Sequence, residues 1–209
     1  MSRVFYFILI FCLIFRYYSV RAALLFTQFF ILLLLYNIYQ QTNHPHKTYI
    51  HKTIYIDRSF NEEERGAIVN AAAYWMIDTN HIAEFNIVEF PSNVDPMLNK
   101  NNTLIITKIS SDYPTVIGMD RENKQYTLAY YSDGGILPAI YLIEDRMPDK
   151  QFQAIVMHEI GHALGLEHLN GDDNIGTLMY PTSDFMADHI TKKDLVEFCQ
   201  IYSCSADQL

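Results

Sequence analysis

HEIGHALGLEH, residues 158–168, decides the reading of this 209-residue chain by setting three histidines, a glutamate and a glycine at the spacing HExxHxxGxxH. On an α-helix His158 and His162 stand one turn apart on the same face, so both imidazoles can reach one ion, and Glu159 projects beside them toward the ion's open side. Three neutral imidazoles make a tetrahedral zinc site that keeps its fourth position for water. Were the helix to continue, His168 would lie about 9 Å further along the axis than His162 and point away. Gly165 resolves this. Lacking a Cβ, it can take the left-handed conformation that ends a helix and turns the chain back, bringing His168 under the metal. The pattern therefore predicts one zinc ion on His158, His162 and His168, with Glu159 as the base.

The motif resembles the zinc signature of the metzincin metallopeptidases. Residues 176–181, GTLMYP, follow His168 at a distance suited to that family's tight turn, in which a methionine, here Met179, lies beneath the ligands. HEIGHALGLEH followed by LMYP is most similar to the matrixin branch. The resemblance implies zinc-dependent hydrolysis of peptide bonds in a protein or peptide substrate, with Met179 as an apolar floor rather than a ligand. It also implies an α+β fold of α/β-like character: a twisted five-stranded mixed sheet with three main helices. Residues 127–131, TLAYY, fall where matrixins have their antiparallel edge strand, so Leu128, Ala129 and Tyr130 are candidates to hold an extended substrate as an added strand. The plainer reading is that the two tyrosines cover the sheet. The alternative function is a zinc-binding module of the same fold without turnover, and retention of Glu159 argues against it.

The sequence also departs from that branch. Matrixins hold a second, structural zinc with histidines of the edge strand and its neighbour, where this chain has Tyr130, Ile140 and Tyr141, so no structural zinc is expected there. No cysteine lies between Gln40 and the first strand to occupy the metal, so latency would have to arise otherwise. Pro181-Thr182-Ser183 lacks the tyrosine that commonly follows the turn and walls the specificity pocket.

Half the residues are hydrophobic, enough for one proper core in a chain of this length. That content is uneven. Residues 4–39 are almost entirely apolar or aromatic, interrupted by Arg16 and Arg21, with no acid. Residues 22–39 approach the lower length limit for a membrane-spanning helix, and residues 4–15 resemble a signal-peptide core. Three readings compete. A signal-anchor would leave Arg3, Arg16 and Arg21 in the cytoplasm and the rest outside. A cleavable signal processed at Val20-Arg21-Ala22 would give a secreted protein, and a membrane hairpin would return the domain to the side of Met1. A buried helix of the soluble fold is disfavoured because no polar face is available. The expected organisation is a membrane anchor or signal region at 1–40, a linker at 41–50 and the catalytic domain at 51–209.

Residues 1–40 carry three of the 15 basic residues and no acid, which leaves 12 basic against 24 acidic residues and a formal charge of −12 on the remainder. That balance argues against nucleic acid and against docking on an anionic membrane surface. It sets no oligomeric state. Asp133, Asp172 and Asp173 lie in glycine-containing loops and are candidate calcium ligands, though their spacing fits no EF-hand. His44, His46 and His51 read as part of a solvated stalk, and His81 and His189 as surface residues. Cys199 and Cys204, if in one helix, would lie about 140° apart around its axis, unsuited to a disulfide; a bond requires the helix to end near Tyr202. Two free thiols are the alternative.

Strands are predicted at residues 53–57, 84–90, 103–109, 126–131 and 139–143. A first helix follows a Ser59/Glu62 capping-box pattern, with Ile68, Ala71, Ala72, Trp75 and Met76 on one face. Residues 110–124, with Pro114 and Gly118, read as a loop. The zinc helix is expected at 149–164, and a final helix at 191–201, capped by Thr191.

Overall fold

The computed structural model describes residues 28–34, 49–89, 100–123 and 126–209. The chain divides into two compact units, Met1–His46 and Lys47–Leu209. In the first, residues 28–34 are helical with exposed side chains. The rest of the expected membrane segment lies outside the described residues, among which no helix is long and apolar enough to cross a membrane.

The second unit holds five strands, β1 (Ile50–Ile56), β2 (Ala83–Glu89), β3 (Thr103–Ile109), β4 (Ala129–Ser132) and β5 (Ala139–Ile143), in one mixed sheet of order β2-β1-β3-β5-β4. All neighbours are parallel except β4, which runs antiparallel to β5 along the edge. Ile54 pairs with Leu104, and Ile106 with Ile140, so the β-branched and leucine side chains of three strands line one face. Onto that face pack α1 (Glu62–Asp78) and α3 (Phe152–Ala163), closing a core that includes Ile68, Ala72, Trp75, Val156, Met157 and Ile160. A two-layer arrangement follows because each element has one apolar side to bury.

α1 is capped two residues later than its sequence suggests. The Asn61 side chain accepts from the Glu64 N–H at 3.0 Å, and Glu64 Oε2 accepts from the Asn61 N–H at 2.8 Å, a complete capping box. Two overlapping patterns, Ser59/Glu62 and Asn61/Glu64, compete here. The later one leaves Phe60 outside the helix, free to be buried against Phe152 with ring centroids 6.3 Å apart. Glu64 also pairs with Lys108 on β3 at 2.8 Å, pinning the start of α1 to the sheet. As expected, Ile68, Ala71, Ala72 and Trp75 are buried, and Met76 is half-buried.

The expected loop at 110–124 is instead largely a helix, α2 (Pro114–Asn123), so this unit has four α-helices among the described residues, not three. Pro114 occupies the first helical position, where its missing N–H costs nothing, and Val116 is fully buried. On the sheet face away from the core, Tyr130 stacks on Tyr141 at 4.9 Å.

α4 (Lys192–Tyr202) ends the fold, with Thr191 as its N-cap. Ser203 takes a left-handed conformation immediately after it, φ 55°, and this early stop allows the Cys199–Cys204 disulfide, with Cα atoms 4.5 Å apart.

Candidate metal centre and cleft

α3 begins after a single 3₁₀ turn (Asp149–Gln151) and is apolar nearly all round, which suits a helix enclosed between the sheet, α1 and the chain that follows. It ends in a Schellman arrangement. Gly165, at φ +91°, donates to the His162 carbonyl at 2.9 Å, and Leu166 donates to the Gly161 carbonyl at 3.0 Å. Leu169 then donates to the Met179 carbonyl at 2.9 Å, so the returning chain is stitched to the methionine turn with His168 held between.

The result is the convergence that the motif predicts. The Nε2 atoms of His158, His162 and His168 lie 3.1–3.2 Å from one another. Ligands about 2.0–2.1 Å from a tetrahedral zinc stand roughly 3.3 Å apart, so the triangle fits that ion closely. Tautomer and orientation are fixed from behind. His158 Nδ1 donates to the Leu178 carbonyl at 2.7 Å and His162 Nδ1 to the Leu166 carbonyl at 2.8 Å, leaving both Nε2 lone pairs free to face inward. Burial holds all three imidazoles below their ordinary pKa, His158 down to about 3, which favours the neutral form that a metal requires. Among the described residues, these histidines are the one group of three or more potential ligands close enough to share an ion. Asp133, Asp172 and Asp173 are not brought into such a group. Lys193 Nζ instead bonds the Asp173 carbonyl and Asn174 Oδ1.

Glu159 is 5 % exposed, and its Oε2 has no hydrogen-bond partner. Burial pushes its pKa up to about 8, against the smaller opposing pull of the Tyr131 backbone N–H on β4. An unpaired buried carboxylate oxygen is costly and calls for a cationic or proton-bearing partner beside it.

Met179 lies fully buried against Gly161, the glycine inside the motif. A Cβ at Gly161 would fall 2.5 Å from Met179 Sδ and 3.2 Å from Trp75, so the sulfur fits only because that side chain is absent. Trp75 Nε1 donates to the Met157 carbonyl at 2.9 Å, joining α1 to the same turn of α3.

One residue of this assembly, Asp194, escapes the sequence reading. It is fully buried at the start of α4 and accepts the Leu178 and Met179 N–H groups at 3.0 Å each, and the Thr191 N–H and hydroxyl at 2.8 and 2.6 Å. Leu178 is therefore held at its N–H by Asp194 while its carbonyl holds His158. The Thr191/Asp194 spacing is a capping-box signal that could have singled it out, but its reach to the methionine turn has no local signature. From the other side, Tyr202 Oη donates to the Leu164 carbonyl at 2.5 Å, bracing the turn that delivers His168.

The centre opens into a cleft of about 180 Å³, walled by residues 126–129 above and by Tyr180, Pro181, Thr182, Ser183 and Met186 below, with Ile155 behind. Of the three edge-strand candidates, Leu128 and Ala129 line this cleft, whereas Tyr130 turns to the far face of the sheet.

The sequence model of the matrixin family matches residues 39–203, from the end of the apolar N-terminus to the last turn of α4. The chain belongs to the matrixin family. This matrixin is accordingly a zinc metallopeptidase, and membership implies the catalytic zinc that its three histidines fit. No curated protein sequence matches it. Similar solved structures include a zinc-dependent peptidase from Methanocorpusculum labreanum, at 15% identity over 70% of this chain and 98% of that one, with a TM-score of 0.43. Another is high choriolytic enzyme 1, a hatching enzyme zinc-protease of the medaka fish Oryzias latipes, at 13% identity over 78% and 98%, with a TM-score of 0.41. At these values the two likenesses add nothing to the family assignment.

Proposed function

We propose that this matrixin is an endopeptidase that takes an extended polypeptide along β4 and hydrolyses it with Glu159 as general base, on one zinc held by His158, His162 and His168. The observation that carries the proposal is the unpartnered Oε2 of Glu159, buried in the cleft beside three converging imidazole nitrogens. A zinc on that triad supplies polarisation of the scissile carbonyl and a lowered pKa for water. The chain's own part is proton handling and orientation. Glu159 Oε2 accepts the proton that water gives up and passes it to the leaving amine, so one water is consumed and the base is regenerated. The nearby Tyr131 N–H favours the charged carboxylate, and burial keeps bulk solvent from it.

The test is Glu159→Ala, assayed on a quenched peptide library alongside elemental analysis. Hydrolysis is expected to vanish while zinc stoichiometry stays at one per chain. Substantial turnover in the zinc-loaded variant would overturn the assigned role.

Residues 22–39 are proposed to tether the domain on the side of the membrane away from the cytoplasm, or to be followed by a secreted domain if the N-terminus is cleaved. The supports are the apolar run and the arginines on its N-terminal side. Protection of Lys47 and Lys52 from protease added outside intact cells would count against it.

A further inference from the structure

The edge strand should offer an extended peptide a row of outward-facing amides, and the ladder geometry sets which ones. Ile143 donates to the Leu128 carbonyl at 2.9 Å, and Ala129 stands opposite Leu142. In an antiparallel pair hydrogen-bonded residues alternate with non-bonded ones. Tyr130 therefore turns its backbone groups toward β5, as the Leu128 carbonyl does, while Ala129 and Tyr131 turn theirs away from it. The Tyr131 N–H lies beside the Glu159 carboxylate, whose charged form it favours.

Thr127 is committed at both backbone groups. Its N–H donates to Asp120 Oδ1 at 2.8 Å, and its carbonyl accepts from Arg146 Nη1 at 3.2 Å. Asp120 Oδ2 and Arg146 Nη1 pair directly at 2.8 Å, each side chain 18% exposed, and the Arg146 guanidinium lies over the Tyr126 ring at 5.0 Å. Asp120 comes from α2 and Arg146 from the 3₁₀ turn Glu144–Arg146 after β5. Two elements distant in sequence thus close on both polar groups of one backbone residue, and Tyr126, Thr127 and Leu128 next to it are the upper wall of the cleft.

We infer that Asp120 and Arg146 are positioning residues of the substrate site: a clamp that fixes the cleft's upper wall and ends the peptide-accepting edge, leaving Ala129 as the residue whose N–H and carbonyl both receive the substrate backbone. This rests on the peptidase reading above. The clamp works through mutual satisfaction. Asp120 neutralises Arg146, and together they fill the donor and acceptor that would otherwise invite further strand addition. A substrate then gains main-chain bonds at Ala129, in the cleft that Glu159 also lines, which sets the register of the scissile bond.

The experiment uses the zinc-loaded full chain, Asp120→Ala, Arg146→Ala, the double variant and Asp120→Asn. One arm measures amide hydrogen exchange at Thr127, and the other kcat and KM on quenched peptides lengthened stepwise at either end. Exchange at Thr127 is expected to speed at least tenfold in Asp120→Ala, with KM raised about tenfold, while kcat and zinc stoichiometry stay within about twofold. The double variant is expected to match the worse single one, because the two side chains act as one unit. Asp120→Asn keeps an acceptor for the Thr127 N–H and should recover most of the protection. Wild-type exchange and KM in both alanine variants would overturn the clamp. The exchange arm decides the clamp even without turnover, whereas failure of the zinc-loaded wild type to cut any peptide would count against the peptidase reading alone.

Discussion

Removing the Asp194 carboxylate should loosen the metal centre without touching a ligand. In Asp194→Ala the N–H groups of Leu178 and Met179, both in residues with no exposed surface, lose their acceptor, and α4 loses half of its capping box. Each stranded buried donor costs about 1–3 kcal/mol. Allowing for relaxation of the turn, the loss should be about 3 kcal/mol, a large part of the roughly 5–15 kcal/mol that holds a domain together. Because the Leu178 carbonyl orients His158, zinc affinity should fall by about tenfold or more, as for other groups that hold a metal-binding histidine in place. Asp194→Asn preserves the shape but presents an amide NH₂ to one of the N–H donors, so roughly half of each effect is expected. Urea titrations of the metal-free and zinc-loaded protein would measure the stability change, and competition with a coloured chelator the affinity. An alanine variant within about 1 kcal/mol of wild type, with unchanged zinc affinity, would refute the argument that Asp194 carries the methionine turn.

Gly161→Ala should destabilise the fold by about 1–3 kcal/mol, because the new methyl meets Met179 and Trp75 rather than open space; a thermal midpoint equal to wild type would show that the methionine yields freely. Reducing the Cys199–Cys204 bond closes off a short loop's constraint on the unfolded chain and should cost about 2 kcal/mol, read as a lower urea midpoint with reductant present. In the metal-free protein, His158 is held at about 3 against an ordinary 6.5, so its contribution is full above pH 6.5 and is lost as pH falls toward 3, and His162 and His168 shift in the same direction. Glu159 is raised from 4.5 to about 8, so its contribution is full below pH 4.5 and is lost as pH rises through 8. Stability without metal should therefore peak near pH 6.5 and decline by ~2 kcal/mol toward pH 8, with zinc removing the alkaline decline; a metal-free domain that gains stability from pH 6.5 to 8 would contradict this.

The features legible in the sequence and those that were not differ in how far apart their partners lie. His158, His162 and His168 fall within eleven residues, and each step between them is set by helix pitch and one left-handed glycine, so the motif alone fixes the triad. The methionine turn was legible for the same reason, as a short run a suitable distance on. Asp194 acts across 16 residues and Asp120 pairs with a group 26 residues away, and neither distance leaves a periodic trace. α2 was missed on intrinsic propensity: Thr115, Val116, Ile117 and Gly118 are poor helix formers, and what favours the helix is Pro114 at its first position, burial of Val116 and the anchoring of Asp120 on Arg146 and Thr127. The Cys199–Cys204 bond was undecidable because helical periodicity says where a side chain points but not where a helix stops, and Ser203 stops it. The local signals place the ion, whereas the long-range ones place the wall against which a peptide must lie. Metal chemistry is therefore carried by the motif, while substrate register depends on contacts such as the one between α2 and the 3₁₀ turn after β5, which a change at either distant residue can alter without disturbing a ligand.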